Sequence, residues 1–190
     1  MQVFTEPSLR RKPFMQSSTL KTGMVVVGIT LPALLFLLNK MNKTEVAYKN
    51  IRAFLIMIQY AEGTYGNDGY KKLYGGGRFN DFSKHPNTPQ TKWGITSTAA
   101  GAYQILSKTW AELQAKLGLT DFSPVSQDKA AIELIRRRKA LDDVYAGRFK
   151  EAIAKCRKEW ASLPGAGYGQ IEKNIQNLLS VIKLARGTTA

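Results

Sequence analysis

The chain has 190 residues, enough for one well-buried domain with some to spare, and its 44% hydrophobic content is that of an ordinary globular protein. Its formal net charge of +14 is not ordinary: residues 39–190 alone hold 24 basic against 13 acidic side chains, so the excess belongs to the folded part and predicts an anionic partner, whether nucleic acid, anionic lipid or cell-wall polymer. One cysteine and one histidine exclude an internal disulfide and a Cys/His metal site, and no phosphate loop, nucleophile triad or internal repeat is present.

In chain order, residues 1–21 are polar and basic, with Arg10, Arg11, Lys12 and Lys21. Residues 22–38 then form an uncharged apolar run of seventeen: a cleaved signal peptide would want small residues where Asn39 to Lys43 follow, a buried core helix would carry a polar face, and a transmembrane anchor fits best. Basic residues on both sides leave its orientation undecided by charge, and an inside N-terminus would deliver the rest of the chain outside. Residues 39–49 read as a polar linker, and the domain proper is expected over 50–187. Its first element is a helix over 50–60, with Ile51, Leu55 and Ile58 spaced four and three apart on one face. One further step of four lands on Glu62, a carboxylate where the stripe predicts a buried hydrophobe, with Gly63 set to end the helix. Burial and the negative end of the helix dipole both disfavour the charged form, as a general acid requires. Read alone, the position equally suits an exposed or hydrogen-bonded end-of-helix residue.

Residues 64–98 are punctuated by Gly66, Gly69, Gly75, Gly76, Gly77, Gly94, Pro86 and Pro89, which suggests a minor lobe of short strands and tight turns. It carries Asp68, Asp81 and His85, each by itself an ordinary turn or capping residue. Beyond residue 98 the pattern is helical. Ser107 is the expected N-cap of a helix with Trp110, Leu113 and Leu117, stopped by Gly118. Ser123-Pro124 opens a second, with Ala131, Leu134 and Ile135, that ends in the basic cluster Arg136-Arg137-Arg138-Lys139. A third stripe is Phe149, Ile153, Cys156 and Trp160, and a fourth Ile171, Ile175, Leu178 and Ile182. These stripes, with a buried structural thiol at Cys156, are core. The fold class is α+β, mainly α: a helical body with a small β-lobe inserted after the first helix, and Glu62 at the junction.

Five blocks then resemble a known group in order and spacing: Ala61-Glu62-Gly63-Thr64; Gly75-Gly76 through Phe79 to Asp81; Gly101 to Ser107; Leu119 to Asp128; and Trp160 to Gln170. Over about residues 50–187 the chain resembles the lambda-type phage endolysins. The resemblance implies a lysozyme-like two-lobed fold, no cofactor, a monomeric catalytic domain, and lytic transglycosylase activity on peptidoglycan. Glu62 matches the family's catalytic glutamate, and Tyr103, Gln104, Tyr168 and Gln170 fall in the blocks that shape the sugar cleft. Hydrolysis remains an alternative if Asp68 or Asp81 serves as a second carboxylate. A non-catalytic module gripping peptidoglycan is a rival reading, as is a membrane-tethered nucleic-acid binder, against which the scattered basic residues and the lack of a nucleic-acid motif both count. The apolar run departs from the family and predicts anchoring in the host inner membrane or in an internal membrane of a virion.

Overall fold

The computed structural model describes residues 30–66 and 68–187. Its spine is α1 (Leu31–Ala61), a 31-residue helix that starts with Pro32 in its first turn and meets no glycine before Gly63. The expected linker over 39–49 is therefore helical, because nothing in Asn39 to Lys49 breaks a helix and Glu45 pairs with Lys49 one turn on at 2.7 Å.

The expected membrane anchor is corrected. Among the described residues no helix is long and apolar enough to cross a membrane. Within α1 the apolar stretch runs only from Leu31 to Leu38, roughly 12 Å at the helical rise against the roughly 30 Å of a bilayer core. Asn39, Lys40, Asn42 and Lys43 follow in the same helix. The part of the predicted anchor over 22–29, like the basic segment 1–21, lies outside the described residues. The localisation built on that anchor falls with it.

The buried residues of α1 begin at Asn50 and run to Ala61. Phe54, Met57 and Ile58 are fully enclosed, and on this half of the helix only Arg52 and Tyr60 are exposed, whereas Leu34, Leu35, Phe36, Leu37 and Leu38 are all exposed. Two short 3-10 turns (Gly69–Lys71 and Tyr74–Gly76) and an antiparallel hairpin of β1 (Gln90–Lys92) and β2 (Ile95–Ser97) form the minor lobe. The helical body follows as α2 (Ser107–Leu117), α3 (Pro124–Arg137), α4 (Leu141–Tyr145), α5 (Phe149–Cys156) and α6 (Ile175–Gly187). Helices α6 and α4 pack directly on α1, and Phe54 stacks on Phe149 at 6.4 Å between ring centroids.

Several local expectations hold. Ser123 caps α3 by accepting from the Ser126 amide, Gly118 ends α2 at φ 63°, and Cys156 is a buried thiol whose pKa burial raises to about 12. Others are corrected. Ser107 is the first helical residue of α2 and not its cap; the Thr98 hydroxyl accepts the Ser107 amide instead, at 3.1 Å. Helix α5 stops at Cys156, so Trp160 is buried from a loop. Ile171 lies outside α6 and is 89% exposed, off the core altogether. The five-residue α4 carries no stripe long enough to read.

The basic cluster at the end of α3 is largely neutralised within the fold. Buried Glu133 receives Arg136 at 2.6 and 2.8 Å and Lys116 at 2.7 Å, while Arg137 pairs with Glu112 and Arg138 with Glu159. The Arg136 hydrogen bond, with help from Lys116, holds the Glu133 pKa down at about 2.

Two outcomes follow for stability. Phe54→Ala should cost about 3–5 kcal/mol in urea unfolding, whereas Leu35→Ser on the exposed half of the same helix should stay within about 0.5 kcal/mol. Because Glu133 has a folded pKa below its unfolded one, its contribution is complete above about pH 4.5 and is lost as pH falls towards about 2. Glu133→Gln should therefore be less stable than the parent at neutral pH, and the gap should narrow through that acid window in denaturant melts.

Candidate active site

The last turn of α1 carries Glu62 into a cleft of about 660 Å³ between the minor lobe and the body. Lys72, Tyr74, Gly75, Trp93 and Ile95 line it from the lobe, and Gln104, Ser162, Gln170, Ile171 and Lys173 from the body. The end of the helix is fixed by three groups. The Glu62 amide donates to the Ile58 carbonyl at 2.9 Å, and Gly63 turns the chain at φ 68°. Buried Thr64 then ties both sides together: its amide donates to the Gln59 carbonyl at 2.9 Å, and its hydroxyl lies 2.5 Å from the Ala102 carbonyl.

Beneath the carboxyl lies a polar network. Gln59, one turn before Glu62, donates through Nε2 to the hydroxyls of Tyr103 at 3.1 Å and Tyr70 at 3.3 Å. Both phenols in turn donate to Oδ1 of Asp128 on α3, at 2.6 and 2.9 Å. Burial, reinforced by the Asp128 charge, raises both phenol pKa values, so the pair stays protonated and acts as a double donor. The network thus bolts α1, the first turn of the lobe, the Tyr103 segment and α3 to one another.

The Gly101-to-Gln104 block folds as it does for a steric reason. Gly101 sits at φ 77°, and a Cβ there would come within 2.2 Å of Gln127 Oε1, which accepts the Ala102 amide. Gln104 follows at φ 46°, a left-handed conformation that turns its side chain into the cleft wall, with Nε2 donating to the Gly101 carbonyl at 3.0 Å.

The carboxyl of Glu62 is reached from the opposite side. Ser162, 100 residues later in the chain, donates its hydroxyl to Oε1 at 2.5 Å. Burial pushes the Glu62 pKa up; the Ser162 hydroxyl, the Lys173 charge and the Ser162 backbone pull it back in that order, and burial wins. A partly accessible carboxyl with a raised pKa, open to a cleft, is a group able to give up a proton.

The other expected site residues divide. Gln104 and Gln170 line the cleft with Glu62. Tyr103 does not: it is 1% exposed and its hydroxyl is consumed by Asp128, because a flat aromatic between two lobes is worth more as core than as a contact surface. Tyr168 is also outside the cleft lining, with its hydroxyl donating to the Lys158 carbonyl at 3.2 Å. Asp68 is exposed and ion-paired with Arg78, and Asp81 is exposed and accepts from the Ser83 amide and hydroxyl. Neither lines the cleft, and among the lining residues Glu62 is the one carboxylate. His85 is buried against Phe122 and Trp110 and faces the Ile105 carbonyl at 2.9 Å. Among the described residues no cluster of His, Cys, Asp and Glu is suited to a metal ion.

Sequence reasoning missed Ser162, Lys72, Trp93, Ile171 and Lys173. The signal for Trp93 was present: a tryptophan before a glycine at a hairpin turn is an exposed aromatic, here 77% accessible with Lys92 over its ring. Ser162 had no local signal beyond being the polar residue inside an apolar run.

A long helix delivering one acid to a cleft between a small β-lobe and a helical body is the architecture of lysozyme-like proteins. Residues 52–189 match the endolysin family, and the chain belongs to it. It is 45% identical over 159 residues to the endolysin of Escherichia phage P2, covering 75% of this chain and 96% of that protein. It is 44% identical over 144 residues to the endolysin of Escherichia phage lambda, covering 72% and 91%. Among solved structures it resembles bacteriophage lambda lysozyme complexed with a chitohexasaccharide, with TM-score 0.71 and 42% identity over 75% of this chain and 97% of that one.

The polar network makes a discriminating prediction. Asp128→Ala leaves the enclosed Tyr103 phenol and the half-buried Tyr70 phenol without their shared acceptor and should cost about 2 kcal/mol in denaturant unfolding. Asp128→Asn keeps an acceptor oxygen in place and should retain most of that stability.

Proposed function

We propose that the protein cleaves the glycan strands of peptidoglycan as a lytic transglycosylase, with Glu62 acting first as acid and then as base. Neutral Glu62 protonates the oxygen of the β-1,4 bond between N-acetylmuramic acid and N-acetylglucosamine as the bond from that oxygen to the muramoyl anomeric carbon breaks. The C6 hydroxyl of the muramoyl residue then forms the new bond to that carbon, and its proton passes to the Glu62 carboxylate. The product is a 1,6-anhydro sugar, and the acid is restored.

The observation that carries this reading is the single carboxylate among the cleft-lining residues. A glycosidase that uses water normally needs a second carboxylate, either about 5 Å away as nucleophile or further off as base. An internal nucleophile removes that need. Supporting it are the raised Glu62 pKa, the relatives named endolysin, the solved relative with a bound chitohexasaccharide, and a net positive charge suited to an anionic wall. Gln104 and Gln170 are the candidate sugar-binding amides, with exposed Trp93 offering a ring face to a sugar.

Digestion of purified peptidoglycan, with the ends identified by mass spectrometry, tests the reading. The expected products carry anhydro-muramic ends, and Glu62→Gln should release at least about 100-fold less soluble fragment while folding normally. Reducing muramic ends would establish hydrolysis instead. Retained binding with no fragment released by the wild type would establish a non-catalytic module.

A further inference from the structure

Ser162 and Lys173 stand at the two feet of one loop. The Lys173 amide donates to the Ser162 carbonyl at 2.8 Å, closing residues 163–172 into a ring. Inside it, the Glu172 carboxylate accepts the amides of Gly165 at 2.7 Å and Gly167 at 2.8 Å, and these bonds hold its pKa low. The same loop supplies Gly169, Gln170 and Ile171 to the cleft wall. Behind it the indole of buried Trp160 donates to the Tyr103 carbonyl at 3.1 Å, pinning the foot of the loop to the segment that carries Gln104. The loop that meets substrate is thus also the loop that holds the acid.

We propose that Ser162 is the positioning residue of the reaction: its hydroxyl occupies Oε1 of Glu62 and so leaves the other carboxyl oxygen to carry the transferable proton. The inference rests on Glu62 being the general acid. In a neutral carboxyl the carbonyl oxygen is a better acceptor than the hydroxyl oxygen, so a hydroxyl donating to Oε1 at 2.5 Å favours the proton on the other oxygen. When that proton has left for the glycosidic oxygen, the same hydroxyl stabilises the carboxylate that must next act as base. Ser162 itself is 7% exposed, so water competes poorly for this bond. The charged groups that face Glu62 are Lys173 from the loop and Lys72 from the lobe, whose ammonium donates to the Gly63 carbonyl at 2.8 Å. Neither ammonium makes the hydrogen bond to Oε1, so neither mimics the effect of the hydroxyl.

The test is Ser162→Ala, followed in two ways: the pH profile of kcat on peptidoglycan, and the titration of Glu62 read from its side-chain carbon by NMR, with Glu62→Gln assigning the signal. Loss of the donor destabilises the charged form, so the Glu62 titration and the alkaline limb of kcat should both move to higher pH. Activity at the optimum should fall by about tenfold or more with little change in KM. Glu172→Gln loosens the loop from its exposed side and should move both readouts the same way by less; it decides the matter if the alanine variant does not fold. An unmoved Glu62 titration in the folded variants overturns the proposal even when peptidoglycan is cleaved normally. Absence of cleavage by the wild type would instead overturn the functional reading and leave the titration to judge the Ser162 contact.

Discussion

A carboxyl carried on the end of a helix buried on all but the face of Arg52, Ile56 and Tyr60 is the constraint from which the rest of this molecule follows. Phe54, Met57 and Ile58 are fully enclosed, so the last turns of α1 cannot rotate or fray without opening the core. That rigidity answers the ambiguity of an acid at a helix terminus. An isolated last turn would swing Glu62 into water, whereas this one, tied down by Thr64 and Gln59, holds it at the mouth of a cleft. The cost of desolvating the carboxyl is met by the packing of the whole domain.

Two kinds of support meet at that acid, and they differ in character. Below it, the Gln59, Tyr70, Tyr103 and Asp128 network is a static brace: its groups are satisfied by one another and link two helices and two loop segments. Beside it, the Ser162 loop is a local, self-closed structure whose outer face is the cleft wall. One side fixes position and the other tunes charge. A glycan seated against Gln170 and Ile171 would press on the same loop that carries the hydrogen bond to Glu62.

The surface charge takes a different meaning once pairs are assigned. The Arg136-to-Arg138 run, conspicuous as sequence, is spent on Glu133, Glu112 and Glu159 and serves the fold. The cations that reach the cleft are Lys72 and Lys173, which are scattered in sequence and gathered only by folding. The membrane role read from residues 22–38 is overturned: among the described residues no helix is long and apolar enough to cross a membrane, and within α1 polar residues follow the apolar stretch from Leu31 to Leu38 in the same helix.

The sequence by itself determined the elements whose cause is local: the spacing from Ile51 to Glu62, the caps at Ser123 and Gly118, the Gly- and Pro-broken lobe, and the buried stripes of α3, α5 and α6. It also marked Glu62 as an acid out of place in an apolar series and set Gln104 and Gln170 in blocks resembling a family. Only the tertiary structure decided what lies opposite what. It sent Tyr103 into the brace, turned Ile171 out to the cleft, left Asp68 and Asp81 in surface pairs, and brought Ser162 to Glu62 across 100 residues of chain. The physical reason is range. Periodicity, capping and turn chemistry act over a few residues and are written in neighbours, whereas a hydrogen bond to a buried carboxyl depends on how distant loops pack, which no short window of sequence contains.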